Sequence, residues 1–244
     1  MAEIVSGIKV FSGIKIPDSK IAREAAELVR QHESEMLFNH SVRVFVFGAM
    51  KGVRQNLKFD SELLYVAALF HDLGLVDAYH TDTKRFEVDG ADTAREFLRS
   101  HGIAEPKADL VWEAIALHTT PGVPQYMRPE IALTNAGVLV DVVGIGYDEY
   151  TPEQRDAVIA AFPRGDFKKD FIQVQTRSAL KKPQTRSARS TSIISKIATT
   201  HFASRTRAPA SATRPGIAER SGSVHPPRWA PPRKCCLIRP EGAS

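Results

Sequence analysis

The sequence predicts an all-α domain over residues 1–173, followed by a basic tail over residues 174–244. Three observations predict it. Apolar residues recur at helical spacing up to about residue 173, with no sustained period-two alternation. Helix-capping residues stand at the starts of these stretches. The charge changes sign at the boundary: residues 1–173 carry 19 Lys and Arg against 26 Asp and Glu, whereas residues 174–244 carry 14 against 2 and no Asp. The net charge of +5 therefore averages a mildly acidic globular part and a strongly basic extension.

Taken in order, Asp18 and Ser19 are N-caps for a first helix with Ile21, Ala25, Leu28 and Val29 on one face. A second covers about Glu33 to Lys51 and ends at Gly52. Asp60 and Ser61 open a third, which stops near Gly74. Asp89 to His101 forms a fourth, closed by Gly102 at C′. Pro106 to His118 and Glu130 to Val143 form the fifth and sixth. Thr151-Pro152-Glu153-Gln154 is a capping box with Pro at N1 and opens a seventh. In the tail, seven prolines from Pro209 to Pro240 break any long helix. Only Ser190 to Phe202 has amphipathic helical character, and the rest reads as disordered.

No apolar run approaches the roughly 18–20 residues needed to span a bilayer. The N-terminus lacks the basic start, apolar stretch and cleavage site of a signal peptide. This reads as a soluble, cytoplasmic protein. The two cysteines, Cys235 and Cys236, are adjacent and make neither a disulfide framework nor a structural zinc site. The Arg-rich tail could contact phosphates, but its only aromatics are Phe202 and Trp229, too few for a base-stacking platform. Nucleic acid is therefore a disfavoured partner, and a small molecule the favoured one.

The chemistry centres on "LYVAALFHDLGLVDAYH", Leu64 to His80. A helix apolar on every side is a core helix, so His71 and Asp72 at its end sit in a dry environment. A buried carboxylate is costly unless it is paired or bound to a cation. Adjacent residues differ by about 100° around a helix, but His71 and Asp72 can converge in a last turn that unwinds at Gly74. A buried His-Asp hydrogen bond or a helix-end cap accounts for this pair alone equally well. His40 lies in the apolar "FNHSVRVFVF", and Asp141 is the only charge in "AGVLVDVVGIG". One arrangement accounts for all four: imidazole nitrogen from His40 and His71 and carboxylate oxygen from Asp72 and Asp141, around one divalent ion. Mixed N/O ligation suits Zn, Fe or Mn better than Ca or Mg. Arg43 and Lys51, on the second helix, read as solvated. Arg85, Phe86 and Glu87 read as a surface salt bridge with one packed aromatic.

The order His … His-Asp … Asp on successive helices resembles the HD superfamily of metal-dependent hydrolases. The segments "FNHSVRVF", "AALFHDLGL", "KRFEVDGADTAREFL", "ALHTTPGVP" and "AGVLVDVVG" resemble its cyanamide hydratase-like branch, over about Phe38 to Gln173. The resemblance implies an all-α fold, a metal held by His40, His71, Asp72 and Asp141, and an Arg85–Glu87 segment at the pocket mouth. Many HD hydrolases carry a lysine after the pair, in "HDxGK"; that position here is Leu75. This weighs against phosphate esters and for a small neutral substrate. Binuclear members use two further histidines between the pair and the last Asp. His80 falls in a loop and His101 at a helix end, so neither suits a second metal. His118 ends an apolar helix beside "TTPGVP" and suits a proton donor or substrate-binding group.

The leading expectation is a metal-dependent hydrolase or hydratase. Asp72 would be ligand and base, and His118 the proton donor. The rivals are an HD phosphohydrolase, a di-iron oxygenase using two of His80, His101 and His118, and a regulatory module with a nucleic-acid-binding tail. The resemblance stops after Thr185, which fits either a solvated extension or a shifted reading frame.

Overall fold

A computed structural model describes residues 3–5, 8–11 and 13–181. It opens with an antiparallel meander of three short strands, β1 (Glu3–Val5), β2 (Ile8–Phe11) and β3 (Ile14–Lys15), in the order β1-β2-β3. Glu3 pairs with Val10 and Phe11 with Ile14. The expected fold contained no strand here. Strands of two to four residues are too short to display alternation.

The remainder of the described chain is helical, as expected of an all-α fold. Ser19 caps α1 (Lys20–His32) by accepting from the Ala22 amide. Ser34 caps α2 (Glu35–Arg54) in the same way through Leu37. Asp60 accepts from the Glu62 and Leu63 amides and opens α3 (Ser61–Phe70). Two 3-10 turns, Leu73–Leu75 and Asp77–Tyr79, lead to α4 (Phe86–Ser100) and α5 (Glu105–Leu117). Helix α6 (Pro129–Val138) continues into a π-helical turn, Leu139–Val143, which ends at Gly144 with φ of +75°. The capping box at Thr151 and Gln154 opens α7 (Pro152–Ala161). An eighth helix, α8 (Phe167–Lys181), was not expected. It runs across the charge boundary at residues 173/174. The amphipathic stretch Ser190 to Phe202 and both cysteines lie outside the described residues.

Helices α2 and α3 form the middle of the domain. Every residue of α3 from Leu63 to Phe70 is buried, because its sequence offers no polar face. Burying one such Leu or Phe stabilises by about 1.5–3 kcal/mol. Helix α2 is buried nearly all round from Leu37 to Met50 and packs on α3 and α6. Helix α4 packs on α5 and on the turn after His71. No helix among the described residues is long and apolar enough to cross a membrane.

The α2–α6 crossing depends on two glycines. A Cβ on Gly48 would stand 2.6 Å from Leu133 O, and one on Gly137 would collide with Val44 O. Both obstacles are backbone and cannot rotate away. This close approach sets the distance between His40 on α2 and the π turn that carries Asp141. Gly137→Ala is expected to lower stability by about 1–3 kcal/mol through overpacking. Chemical denaturation would read this as a lower midpoint at unchanged slope; a wild-type midpoint would show that the helices can separate freely.

Candidate metal centre

Four elements supply the centre. His40 comes from the first turns of α2, and His71 from the residue that ends α3. Asp72 follows where the helix gives way to the 3-10 turn. His118 comes from the end of α5. All four side chains are at most 2% exposed. Gly90 of α4 lets this junction close up, since a Cβ there would lie 2.7 Å from Phe70 O.

The donor atoms of His40, His71 and Asp72 all lie within 4.8 Å of one another. His40 Nε2 is 3.2 Å from His71 Nε2 and 3.5 Å from Asp72 Oδ2. His71 Nε2 is 3.2 Å from the same Oδ2, and His118 Nε2 is 3.7 Å from Oδ1.

The far side of each imidazole assigns its proton. His71 Nδ1 lies 2.7 Å from Ala68 O and His118 Nδ1 2.6 Å from Ile115 O. His40 Nδ1 lies 2.7 Å from Asp141 Oδ2. All three partners only accept, so each Nδ1 carries the hydrogen and each neutral ring turns a bare Nε2 lone pair inward. Both Asp72 oxygens are buried without a hydrogen-bond partner. Three lone pairs and an unsatisfied carboxylate converging in a dry site repel one another unless a cation lies among them. The N/O donor set fits a divalent transition metal.

The titration behaviour follows from the same geometry. Burial pushes His40 down, against the pull of Asp141. Burial also opposes protonation of His71, but the Asp72 carboxylate beside it wins and raises it. Burial would raise Asp72, yet the neighbouring imidazoles, His71 foremost, bring it down to about 2. Asp72 therefore stays ionised and demands a positive partner, either a proton on His71 or a metal ion. Burial, with His71 adding to it, pushes His118 down to about 4, so this ring is neutral at pH 7.

Asp141, expected as a fourth ligand, is placed behind His40 instead. Its oxygens accept from Arg43 Nε at 2.9 Å and a second Arg43 nitrogen at 2.8 Å, from Arg164, and from His40 Nδ1. The reason is Arg43, which was expected to be solvated and is wholly buried. Its remaining nitrogen donates to Phe162 O and Pro163 O, both at 3.1 Å. The carboxylate that the apolar run singled out thus neutralises a guanidinium and fixes the His40 ring. The π turn, which the regular helical pattern does not reveal, carries Asp141 there.

Lys51 pairs with Glu149, both oxygens at 3.3 Å. The expected surface bridge of Arg85 and Glu87 is half sunk: Glu87 is 1% exposed and accepts from Thr119 Oγ1 at 2.6 Å as well as from Arg85. Phe86 sets its ring 5.6 Å from that of His118. His101 caps α4, its ring bonded to Phe97 O and Glu24. His80 lies beside Asp82. Neither belongs to the cluster.

Several residues escaped the sequence reading. Arg43 sits in "SVRVFVF" and is as anomalous there as Asp141 is in its own run; the same reasoning would have found it. Phe167 and Phe171 of α8 stack at 5.0 Å and cover His40, with ring centroids 4.8 and 5.4 Å away. Asn135 donates to His118 O at 2.7 Å and steadies the end of α5. Glu33 is buried near Ser41, and burial together with Asp72 raises its carboxyl well above the usual range. No sequence signal marks the last two.

These contacts give Asp141 a double role that substitution can separate. Burial would raise its carboxyl, but Arg43 foremost, with His40 and Arg164, holds it well below the carboxylate range. The stability it contributes is full above the unfolded value near pH ~4 and is lost as pH falls below it. Asp141→Leu strands Arg43 and is expected to cost about 3–5 kcal/mol. Adding Arg43→Met is expected to restore most of that stability. Metal affinity is expected to stay about 10–100-fold down in both variants, because His40 has lost its anchor. Thermal melts and metal titration check the two halves; wild-type metal affinity in the folded double variant would remove the orienting role.

An HD domain model matches residues 37–160, just over half of the chain. Two curated relatives, the cyanamide hydratases DDI2 and DDI3 of Saccharomyces cerevisiae, are each 28% identical over 172 residues. The match covers 68% of this chain and 76% of each relative. Residues 37–160, matched by the HD domain model, contain His40, His71, Asp72, His118 and Asp141, the residues that build and brace the centre. The chain belongs to the HD-domain family, in its cyanamide hydratase-like branch, as a metal-dependent hydrolase or hydro-lyase.

Proposed function

We propose that this protein hydrates a nitrile-type carbon, with cyanamide as the simplest substrate and urea as the product. It would do so as a soluble cytoplasmic enzyme with one Zn, Fe or Mn ion held by His40, His71 and Asp72, and with Asp141 orienting His40. The observation that carries this reading is the pairing of an electron-rich centre with a cavity that has no free cation. His71, Asp72 and His118 line a cavity whose one cationic lining residue among those described, Lys51, is paired with Glu149. Nearby Arg43 and Arg164 are held by Asp141, and Arg85 by Glu87. Apart from the ion itself, a phosphate ester would find no unpaired Lys or Arg among the described lining residues, whereas a neutral nitrile needs none. The relatedness to two cyanamide hydratases supports the same choice.

A bound divalent ion would supply Lewis acidity and acidify water at the site. The chain's own residues do the rest. His118 Nε2, neutral and 3.7 Å from Asp72 Oδ1, would take a proton from the attacking water and return it to the substrate nitrogen. A ring that starts neutral acts first as base, so its role as acid follows from the proton it has just taken. Asn135 keeps the end of α5, and with it this ring, in register. Phe167 and Phe171 exclude water from the His40 side.

The metal-loaded protein is expected to convert cyanamide to urea and to leave bis(p-nitrophenyl) phosphate intact. Cleavage of the phosphodiester without urea formation would overturn the reading in favour of a phosphohydrolase. His71→Ala and Asp72→Ala are each expected to lower metal affinity by more than about a hundredfold and to abolish turnover; full metal content in both would remove the ligand assignment. His118→Gln is expected to keep its metal while kcat falls by about 10²–10⁴. Equal kcat in that variant would take the proton-transfer role from His118.

A further inference from the structure

The cavity is larger than cyanamide requires. It measures about 710 Å³, within the range that takes drug-sized molecules. Cyanamide has only N–C–N as its heavy-atom skeleton and would leave most of this space to water. The wall formed by α6 and its π turn presents Ala132, Ala136, Leu139 and Val143. Their spacing of three or four places them on one helix face. From Ala132 to Val143 that face is about 16 Å long at 1.5 Å per residue. These side chains are half-buried, whereas Ile131 and Thr134 on the same helix are buried and do not line the cavity. The stripe therefore faces the cavity, and the two alanines keep it wide. Leu57 and Ile145 extend the apolar lining and are 37% and 57% exposed. Water along such a wall finds few polar partners.

We propose that the substrate carries its cyanamide or nitrile group on an apolar body of about ten non-hydrogen atoms. The head lies at His71, Asp72 and His118, and the body lies along the Ala132–Val143 face. This assignment rests on the hydratase reading of the centre. The reaction balances without a co-reactant. The water oxygen bonds to the nitrile carbon, the carbon–nitrogen multiple bond is reduced in order to a single amide bond, and both water hydrogens end on the nitrogen. A substituted cyanamide gives a substituted urea, and a nitrile gives an amide.

The test is a series of straight-chain monoalkylcyanamides, methyl to octyl, with the metal-loaded full-length protein. Urea products are quantified by chromatography, and binding of the matching alkylureas is measured by calorimetry. Affinity and kcat/KM are each expected to rise about fourfold per methylene until the cavity is filled. Ala136→Phe, which occupies the channel, is expected to bring the gain per methylene close to one; Ala132→Leu replaces it if that variant does not fold. Alkylurea binding that is independent of chain length overturns the proposal, whatever happens to cyanamide. Hydration that is best for cyanamide and falls with chain length also overturns it, and leaves the hydratase reading standing. Binding that rises with chain length, with no hydration of cyanamide or of any homologue, upholds the apolar-body site and overturns the hydratase reading instead. An unchanged gradient in a folded Ala136→Phe protein overturns the placement along α6.

Discussion

The buried pairing of Arg43 with Asp141 holds the rest of the centre in position. It joins α2 to the π turn after α6 and, through two carbonyls, to the chain at Phe162 and Pro163. Removing two charges from water is expensive, and such a pair gives little net stability over apolar residues of similar volume. Its value lies in what remains of the carboxylate after Arg43 is satisfied. One Asp141 oxygen still accepts from His40, fixes that ring's tautomer and turns its Nε2 toward His71 and Asp72. The geometry of the donor cluster is thereby set by a carboxylate that does not belong to it.

Much of this was legible in the sequence, for physical reasons that differ by element. The caps at Ser19, Asp60 and Thr151 are local hydrogen-bonding devices, and they start helices where the residue types place them. The burial of His71 and Asp72 follows from the wholly apolar helix that delivers them. What escaped depends on partners distant in the chain. Asp141 and Arg43 are 98 residues apart. An isolated charge in an apolar run signals a partner without saying whether that partner is a metal or a guanidinium. The π turn adds a residue to a turn without altering the hydrophobic pattern. Helix α8 straddles a change in composition, and charge balance alone cannot show that Phe167 and Phe171 belong to the site.

The two glycine contacts of α2 with α6 and the alanine face of α6 show one helix serving opposite demands. On one side Gly137 brings it against the Val44 backbone, so near that a Cβ there would collide with Val44 O. On the other, Ala132 and Ala136 hold it back from its surroundings and leave a cavity open. Small residues produce both effects, and the direction in which each points decides which.

The placement of Phe167 and Phe171 over His40 bears on how an ion would come and go. On that side two stacked rings cover the imidazole, and behind it lie the guanidinium groups of Arg43 and Arg164, paired with Asp141. The open approach is past Asp72 and His118, through the same cavity that a substrate enters. An ion held by His40, His71 and Asp72 would therefore load and exchange through the same cavity that admits a substrate. A molecule resting in the cavity would then shield such an ion from chelators, and occupancy by substrate or product would slow metal loss without touching a ligand.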